Sequence, residues 1–535
     1  MSAESIALII TGAALFTAYA LATGYDFINH MQLCGYRAGE YFRRIDDEKV
    51  FGAAALSLAC VCVQVIVDAL PVDAPLWIIG GYALCGAFTA AYYLRRVRRA
   101  RKTPTVFTPR MIRLYVTITA LALIVGGGTL TVTALYFAYA QTALAGLIIL
   151  LIIPITALAA CVNMPLEKLN NYRYLRRAKR RLAEIPDLKI IGITGSFGKT
   201  SLKSILYDIL SKNYQALATP ASYNTPMGIT KNINTRLLDT HRIFIVEMGA
   251  RRIGDIKELC ALARPDIAVI TAVGSQHLAT FGSIENTASA KYEIVKYAKE
   301  GAFAAFNGDN VGSKALYDIT GIPKILAAQA ARDGQKTAFY SDVLCSERGS
   351  VFTLGFGDGT RFRAETILLG EHNISNITLA AAIAYKLGMP AADIVNAISQ
   401  IRPIPHRLQL LPTARHNLTI IDDSYNACPE SAAAAFNVVR MFSGERVIIT
   451  PGLVELGETQ AYENTGMGRR MAEVFDYCFV TGRNSKYLTE GLLSAGFGSG
   501  RVFETVSTAA AVEKLHSLGL GKTVLLFEND LPDNY

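Results

Sequence analysis

The nine cysteines of this 535-residue chain include no Cys-x-x-Cys pair and no His/Cys cluster at metal-ligand spacing. That excludes a disulfide framework and a structural zinc site, and it makes a reducing compartment the default for the polar half of the chain. Cys60 and Cys62 fall inside an apolar run, where packing is their expected role. No Lys or Arg precedes the first apolar stretch, so that stretch lacks the basic start of a secretory signal peptide. Basic residues are also missing from 71–74 and 139–142, between longer apolar runs.

What is present divides the chain in two. The length suggests three or four domains, and an apolar content of 51% with positive mean hydropathy predicts a membrane portion. The net charge of +9 lies entirely in residues 1–189, which hold 20 Lys/Arg against 11 Asp/Glu, while residues 190–535 hold 33 of each. That placement disfavours nucleic acid as a partner and favours membrane orientation. Apolar stretches at 5–23, 51–70, 75–94, 114–138 and 143–163 each have the length of a spanning helix. Arg37, Arg43, Arg44 and Lys49 lie in one connection, and eight Lys/Arg lie in 95–113. The positive-inside rule then predicts a multi-pass protein of the inner (plasma) membrane, N-terminus outside and everything after 164 in the cytoplasm. Residues 164–185 read either as a basic amphipathic helix lying on anionic membrane lipids or as a plain linker.

After Pro186 short apolar runs alternate with helical stretches, the texture of doubly wound α/β folds. The strand LKIIGITG runs into GSFGKTSLKSILYDILS, a glycine-rich turn opening a helix. Backbone N–H groups and the helix N-terminus there can cradle phosphates, with Lys199 on the terminal phosphates and the Thr200 hydroxyl on Mg²⁺. The generic phosphate-loop pattern wants Gly at 193, where this chain has Ile193. Glu247 ends the strand IFIVE, where open α/β sheets place their ligand crevice. His277 follows the strand DIAVITAVG and reads as a metal ligand or as a hydrogen-bonded core histidine. Glu455 and Glu458 read as a solvated loop or as neighbours of an incoming amine.

The loop variant and the segments after it, taken in order, resemble the Mur ligase family over roughly 186–535: SYNTPMG, IFIVEMGA, ITAVGSQHLATFGSIENTASAKYEIV, GEHNISNITLAAAIAYKLG, PHRLQ and IIDDSYNACPES. Within the family, EMGA and DDSYNACPES are most similar to the branch that adds D-alanyl-D-alanine. The resemblance implies an ATP- and Mg²⁺-dependent amide-bond ligase of peptidoglycan precursor synthesis. It implies an ATP site of Gly195, Ser196, Gly198, Lys199, Thr200, Ser201, His372, Asn373, Asn376, Arg407 and Asp423. It implies Thr200, Glu247, His277 and, if carbamylated, Lys291 as metal ligands, with Lys199, Lys291 and His277 as the catalytic set. Asn224, Thr225, Tyr425 and Asn426 are the implied substrate contacts, and Asp422 is expected to be structural. An uncarbamylated Lys291 would be a plain cation, and the residues themselves leave that choice open.

Two features depart from the family: five apolar stretches stand where a uridine-binding domain is usual, and the strand KTVLLF is followed by Glu528-Asn529-Asp530 instead of a basic motif. The expected organisation is a five-helix transmembrane domain (1–163), a basic amphipathic linker (164–185), a central ATP-binding domain (186–402) and a Rossmann-like C-terminal domain (403–535). In fold class this is an α-helical membrane domain followed by α/β. The expected partners are a nucleotide- or lipid-linked muropeptide acceptor, and an amino acid or dipeptide supplying the amine. A cyanophycin- or folylpolyglutamate-type ligase is the alternative within the superfamily. A transporter or a nucleotide-sensing anchor with a phosphate-loop domain is the alternative outside it; a transporter would need a paired Walker B carboxylate, which the chain lacks, and a sensor would tend to have lost the metal ligands that are present.

Overall fold

The computed structural model describes residues 107–136, 152–220, 223–331, 336–425 and 427–529, with scattered residues between 25 and 95. Contacts divide the chain into two units, Met1–Tyr172 and Arg173–Leu531.

In the first unit lie the long helix α1 (Pro109–Tyr136) and the first part of α2 (Ile152–Ala183). Among the described residues no helix is long and apolar enough to cross a membrane. The expected five-helix membrane domain is therefore corrected, and with it the multi-pass inner-membrane placement and the membrane-lipid partners. Two physical reasons stand behind the correction. The described part of the fifth apolar stretch does not end at 163 but opens α2, a 32-residue helix that continues through Glu167, Lys168 and Arg173 to Arg181. The apolar side chains also have one another to bury against: Met111, Leu114 and Ile118 of α1 pack with Phe27, Ile28, Met31 and Tyr41 and with Ile155 and Ala159 of α2. Polar pairs join the same helices, Arg113 Nε donating to Glu167 Oε1 at 2.8 Å and Asn163 Nδ2 to Thr117 Oγ1 at 2.8 Å. Periodic apolar content does not distinguish a helix facing lipid from one facing other helices. The first expected span, 5–23, and the turns 71–74 and 139–142 lie outside the described residues.

The second unit contains two sheets. The first is built from β1 (Lys189–Thr194), β2 (Ala216–Ala218), β3 (Ile243–Glu247), β4 (Ile267–Ile270), β5 (Phe303–Asn307), β6 (Lys324–Gln329), β7 (Ala338–Ser346), β8 (Gly349–Phe356) and β9 (Arg361–Thr366), in the order β2-β3-β1-β4-β5-β6-β7-β8-β9. Strands through β7 pair parallel; β8 and β9 extend the edge antiparallel. Buried on both faces, β1, β3 and β4 are almost wholly apolar, as parallel strands under helices must be. α3 (Lys199–Leu210) lies on one face with Leu202, Ile205, Leu206 and Ile209 fully buried. α4 (Pro226–Arg236), α5 (Ile284–Lys296) and α6 (Glu371–Lys386) complete the cover that matters to the site.

The second sheet holds β10 (Gln409–Leu411), β11 (Leu418–Asp423), β12 (Glu445–Thr450), β13 (Tyr477–Thr481), β14 (Val502–Thr505) and β15 (Thr523–Glu528), ordered β10-β11-β15-β12-β13-β14. Its strands are parallel apart from the β10–β11 pair. α7 (Pro429–Val439) packs on it through Ala435, Phe436 and Val439. Both sheets present strand C-termini, and the residues of interest lie on strand ends such as Glu247, on the loops that follow, and on the helices α3, α5 and α6.

Candidate active site

The turn between β1 and α3 is shaped by two glycines in backbone conformations that side chains disfavour, Gly195 at φ +156° and Gly198 at φ +80°. A Cβ on Gly195 would collide with Thr271 Oγ1, so β4 and the loop are pressed together there. Ser196 is fully buried, its N–H donating to Ala272 O at 2.8 Å and its Oγ accepting from Gly274 N at 2.9 Å. The loop is thereby held open at the N-terminus of a twelve-residue helix whose first N–H groups face it. Lys199 Nζ folds back on the loop, donating to Gly195 O at 2.7 Å and Ser196 O at 3.0 Å. Burial pulls its pKa down to about 8, against the pull of Glu247 in the other direction.

Glu247, at the end of β3, is 2% exposed and fully engaged. Its Oε2 accepts from Thr200 Oγ1 at 3.0 Å and Lys203 Nζ at 2.9 Å; its Oε1 accepts from Asn224 Nδ2 at 3.1 Å. Burial pushes its carboxyl upward, but Lys203 and Lys199 with the donated hydrogen bonds outweigh that and hold it below the usual carboxylate range. Lys203 carried no signal of its own in the sequence beyond its place one turn after Lys199.

His277 also sits at a left-handed φ of +59°, next to Gln276, whose Oε1 meets Lys199 Nζ at 3.4 Å. Its Nδ1 is hydrogen-bonded to Glu455 Oε2, a residue of the loop after β12 in the other sheet. Burial lowers its pKa, opposed by Glu455. Lys291, on α5, is 2% exposed, with Nζ 5.6 Å from the centre of the Phe281 ring. Burial, reinforced by the positive charge of Lys199, drives its pKa well below the usual lysine value.

Around the start of α6, Asn376 Oδ1 lies 3.1 Å from where a Cβ on Gly198 would stand. Asn373 is buried, with Nδ2 donating to Leu369 O at 2.9 Å and Oδ1 left without a partner. Burial lowers the pKa of His372 to about 4, helped by Arg407. The Arg407 guanidinium stacks 4.6 Å from the centre of the Tyr425 ring and donates to Tyr425 O at 3.3 Å. Asp423 and Glu528 stand side by side at the ends of β11 and β15. Burial raises Asp423 to about 6, opposed by Arg407 and by the hydrogen bond to Glu528, and burial together with the charge of Asp423 and the hydrogen bond between them raises Glu528 well above the usual range.

This arrangement of elements matches known sequences. The Mur ligase middle domain matches residues 193–384, and the Mur ligase glutamate ligase domain matches residues 406–527. The UDP-N-acetylmuramoyl-tripeptide–D-alanyl-D-alanine ligase of Bacillus subtilis is 30% identical over 319 residues, covering 59% of this chain and 67% of that enzyme. The chain belongs to the Mur ligase family. Among solved structures, MurF from Acinetobacter baumannii superposes with a TM-score of 0.61 at 25% identity, over 67% of this chain and 77% of that one. MurF from Thermotoga maritima in complex with ADP has a TM-score of 0.59 at 23% identity, over 67% and 80%, and so shows the fold. Ligases of the same description from other bacteria match over 57% to 62% of their lengths. These matches bear out the expectation of an ATP- and Mg²⁺-dependent, ADP-forming amide-bond ligase of peptidoglycan precursor synthesis.

The residues of this Mur ligase suit those two groups. Oxygen donors of hydroxyl and carboxylate type converge at Thr200 and Glu247, which is the chemistry Mg²⁺ selects, and the glycine cradle at a helix N-terminus suits phosphate. The orphaned Asn373 Oδ1 is an acceptor awaiting a donor. The sequence-derived set is only partly assembled. Among the described residues no three His, Cys, Asp or Glu side chains converge on one point, so Glu247 and His277 do not form a closed acidic cage. Ser201 is buried under the loop. Thr225 caps α4, its Oγ1 accepting from Gly228 N at 3.3 Å, and Asn224 serves Glu247. Asp422 accepts from Ser424 N at 3.0 Å through Oδ1 and pairs with His406 Nδ1 at 2.8 Å through Oδ2. Asn426 lies outside the described residues. Besides Lys203, the sequence reading missed Glu430, whose Oε1 approaches Gly274 and Ser275 from the second sheet.

Proposed function

We propose that this Mur ligase joins a D-alanyl-D-alanine dipeptide to the free carboxylate of a UDP-linked muramoyl tripeptide. The observation that carries the reading is Glu247, buried and bonded to Thr200, Lys203 and Asn224 directly behind the phosphate loop. Two anions must meet when a carboxylate attacks ATP, and fixed positive charge must offset their repulsion. Lys199 and the first N–H groups of α3 would hold the terminal phosphates. Thr200 and Glu247, with His277 and a carbamylated Lys291, would hold Mg²⁺, which supplies charge neutralisation when bound. The substrate carboxylate oxygen bonds to the γ-phosphorus as the bond to ADP breaks, giving an acyl phosphate. The amine then attacks the acyl carbon, loses a proton, and phosphate departs.

Carbamylation of Lys291 has physical support. A buried lysine that holds its proton weakly can react as the neutral amine, adding CO₂ and releasing a proton to give an anionic carbamate, which the positive charge of Lys199 would favour. His372, Asn373 and Asn376 would line the base; Arg407 and Asp423 would contact the ribose and phosphates; Asn224, Tyr425 and Asn426 would border the acceptor. The domain limits 186–402 and 403–535 are part of the proposal, with the two sheets, Lys189–Thr366 and Gln409–Glu528, as its support.

The test is to incubate the full chain with ATP, Mg²⁺, UDP-muramoyl tripeptide and D-Ala-D-Ala, and to resolve products by mass. The expected product is the UDP-muramoyl pentapeptide, with one ADP per bond. ADP release only with a glutamate-type amine and a folate or amino-acid-polymer acceptor would move the chain to the polyglutamate branch.

A further inference from the structure

The loop after β12 leaves the second sheet and ends against residues of the first. Glu455 Oε2 is bonded to His277 Nδ1, its Oε1 lies 3.3 Å from Arg251 Nη2, and its backbone O accepts from Ala279 N at 3.1 Å. The loop is fixed from behind by two buried asparagines. Leu453 N donates to Asn464 Oδ1 at 2.8 Å, and Leu453 O accepts from Asn464 Nδ2 at 3.0 Å and Asn484 Nδ2 at 2.8 Å. Gln460 Nε2 closes the set on Asn484 Oδ1 at 3.0 Å. Glu455 itself adopts φ +62°, and Gly457, at φ +64°, approaches so closely that a Cβ there would stand 3.1 Å from Ala279 Cα. A non-glycine residue stays in that region only where its surroundings over-determine it. Here they aim one carboxylate at one imidazole nitrogen.

An imidazole nitrogen facing a carboxylate carries the proton, and the other nitrogen is left with its lone pair. Among the described residues no hydrogen bond to His277 Nε2 is found. We propose that Glu455 is a positioning residue that holds His277 as the Nδ1-protonated tautomer, leaving the Nε2 lone pair available to the Mg²⁺ that His277 would help Thr200 and Glu247 to hold. The inference rests on His277 belonging to the metal set, and it goes further by naming the group that orients it. Because Glu455 belongs to one sheet and His277 to the other, the imidazole is oriented only while residues 453–457 are docked. Docking of the second sheet and completion of the metal site become one event, so Mg²⁺ and nucleotide favour the docked arrangement.

The experiment uses the full chain with Glu455→Ala and Glu455→Gln, the second keeping an acceptor oxygen and the side-chain shape. Mn²⁺ binding in the presence of ADP is read by electron paramagnetic resonance, and the His277 tautomer by ¹⁵N spectra of histidine-labelled protein, assigned with His277→Gln. Loss of an orienting partner costs a metal site about 10- to 100-fold in affinity. The expected result is that weakening for Glu455→Ala, most of the affinity kept in Glu455→Gln, and an Nδ1-protonated His277 in the wild type. In turnover, the Mg²⁺ requirement should rise while kcat at saturating Mg²⁺ stays within about threefold, as an orienting role predicts. Wild-type Mn²⁺ affinity in Glu455→Ala, equal weakening in both variants, or an Nε2-protonated His277 would each overturn the proposal. A wild-type protein that forms no ADP would sink the assigned reaction, and the Mn²⁺ titration would still decide the role of Glu455.

Discussion

Lys203 Nζ lies 2.9 Å from Glu247 Oε2, and neither side chain reaches solvent. The pair places a protein cation beside the carboxylate that the proposed reaction gives to a metal. Removing one partner from a buried ion pair leaves the other uncompensated, at a cost of about 3–5 kcal/mol. Lys203→Met should therefore destabilise the second unit by that order in urea unfolding. Glu247→Gln combined with Lys203→Met should recover most of the loss. A double variant as unstable as the two single losses added together would show that the residues act separately.

Lys199→Ala should reduce ADP release by at least about 10²-fold, the scale set by losing one preorganised donor to a developing charge. The far-UV circular dichroism should not change, because among the described residues Lys199 Nζ bonds only to its own loop and to Gln276. Near-normal ATP turnover would remove the phosphate-loop assignment.

Lys291→Ala should be weakly active and partly restored by bicarbonate or a short-chain carboxylate, since the hole left by a carbamate admits a small anion. The wild type should lose activity on exhaustive CO₂ removal and regain it on bicarbonate addition. Full activity in Lys291→Ala would exclude the carbamate.

Stability should fall as pH rises from about 4 to about 6, the window in which folded Asp423 keeps a proton that the unfolded chain gives up, and the raised Glu528 adds to the fall in the same direction. The sign follows from the raised pKa values. The folded state binds more protons than the unfolded state in that window, so deprotonation costs stability, fully so above the folded values. Glu528→Gln removes one of the two charges and should raise the melting temperature at pH 7.5 more than at pH 4.5. An equal shift at both pH values would show that packing, not charge, separates the variants.

The phosphate loop was legible because strand, glycine turn, lysine and helix follow one another in eight or nine residues, and local strings survive into structure. Glu247 was legible as a strand-end residue and His277 by its place in the segment after a strand. Lys203 and Glu455 were not, since their meaning comes from partners 44 and 178 positions away. Thr225, expected as a substrate contact from the resemblance, also caps α4, a use that a Thr before Pro226 makes legible in the sequence. The membrane reading failed at Ile155, Ala157 and Ala159. Their apolar character was read correctly, but it is spent on Met111, Leu114 and Ile118. Charge asymmetry and run length could not reveal that, because they describe a helix without its neighbours.

The resting bonds of Lys199 bear on which anions the loop accepts. Its ammonium already holds two backbone carbonyls, at 2.7 and 3.0 Å, so an arriving oxyanion competes with an internal ligand at no concentration cost. Free sulfate or inorganic phosphate would replace neutral acceptors at one lysine and gain little beyond that exchange. A triphosphate would be held by Lys199, the helix N-terminus and, through Mg²⁺, by Thr200 and Glu247, and several contacts would repay one displacement. The lysine's self-contact would thus act as a filter, disfavouring small cellular anions relative to a nucleotide.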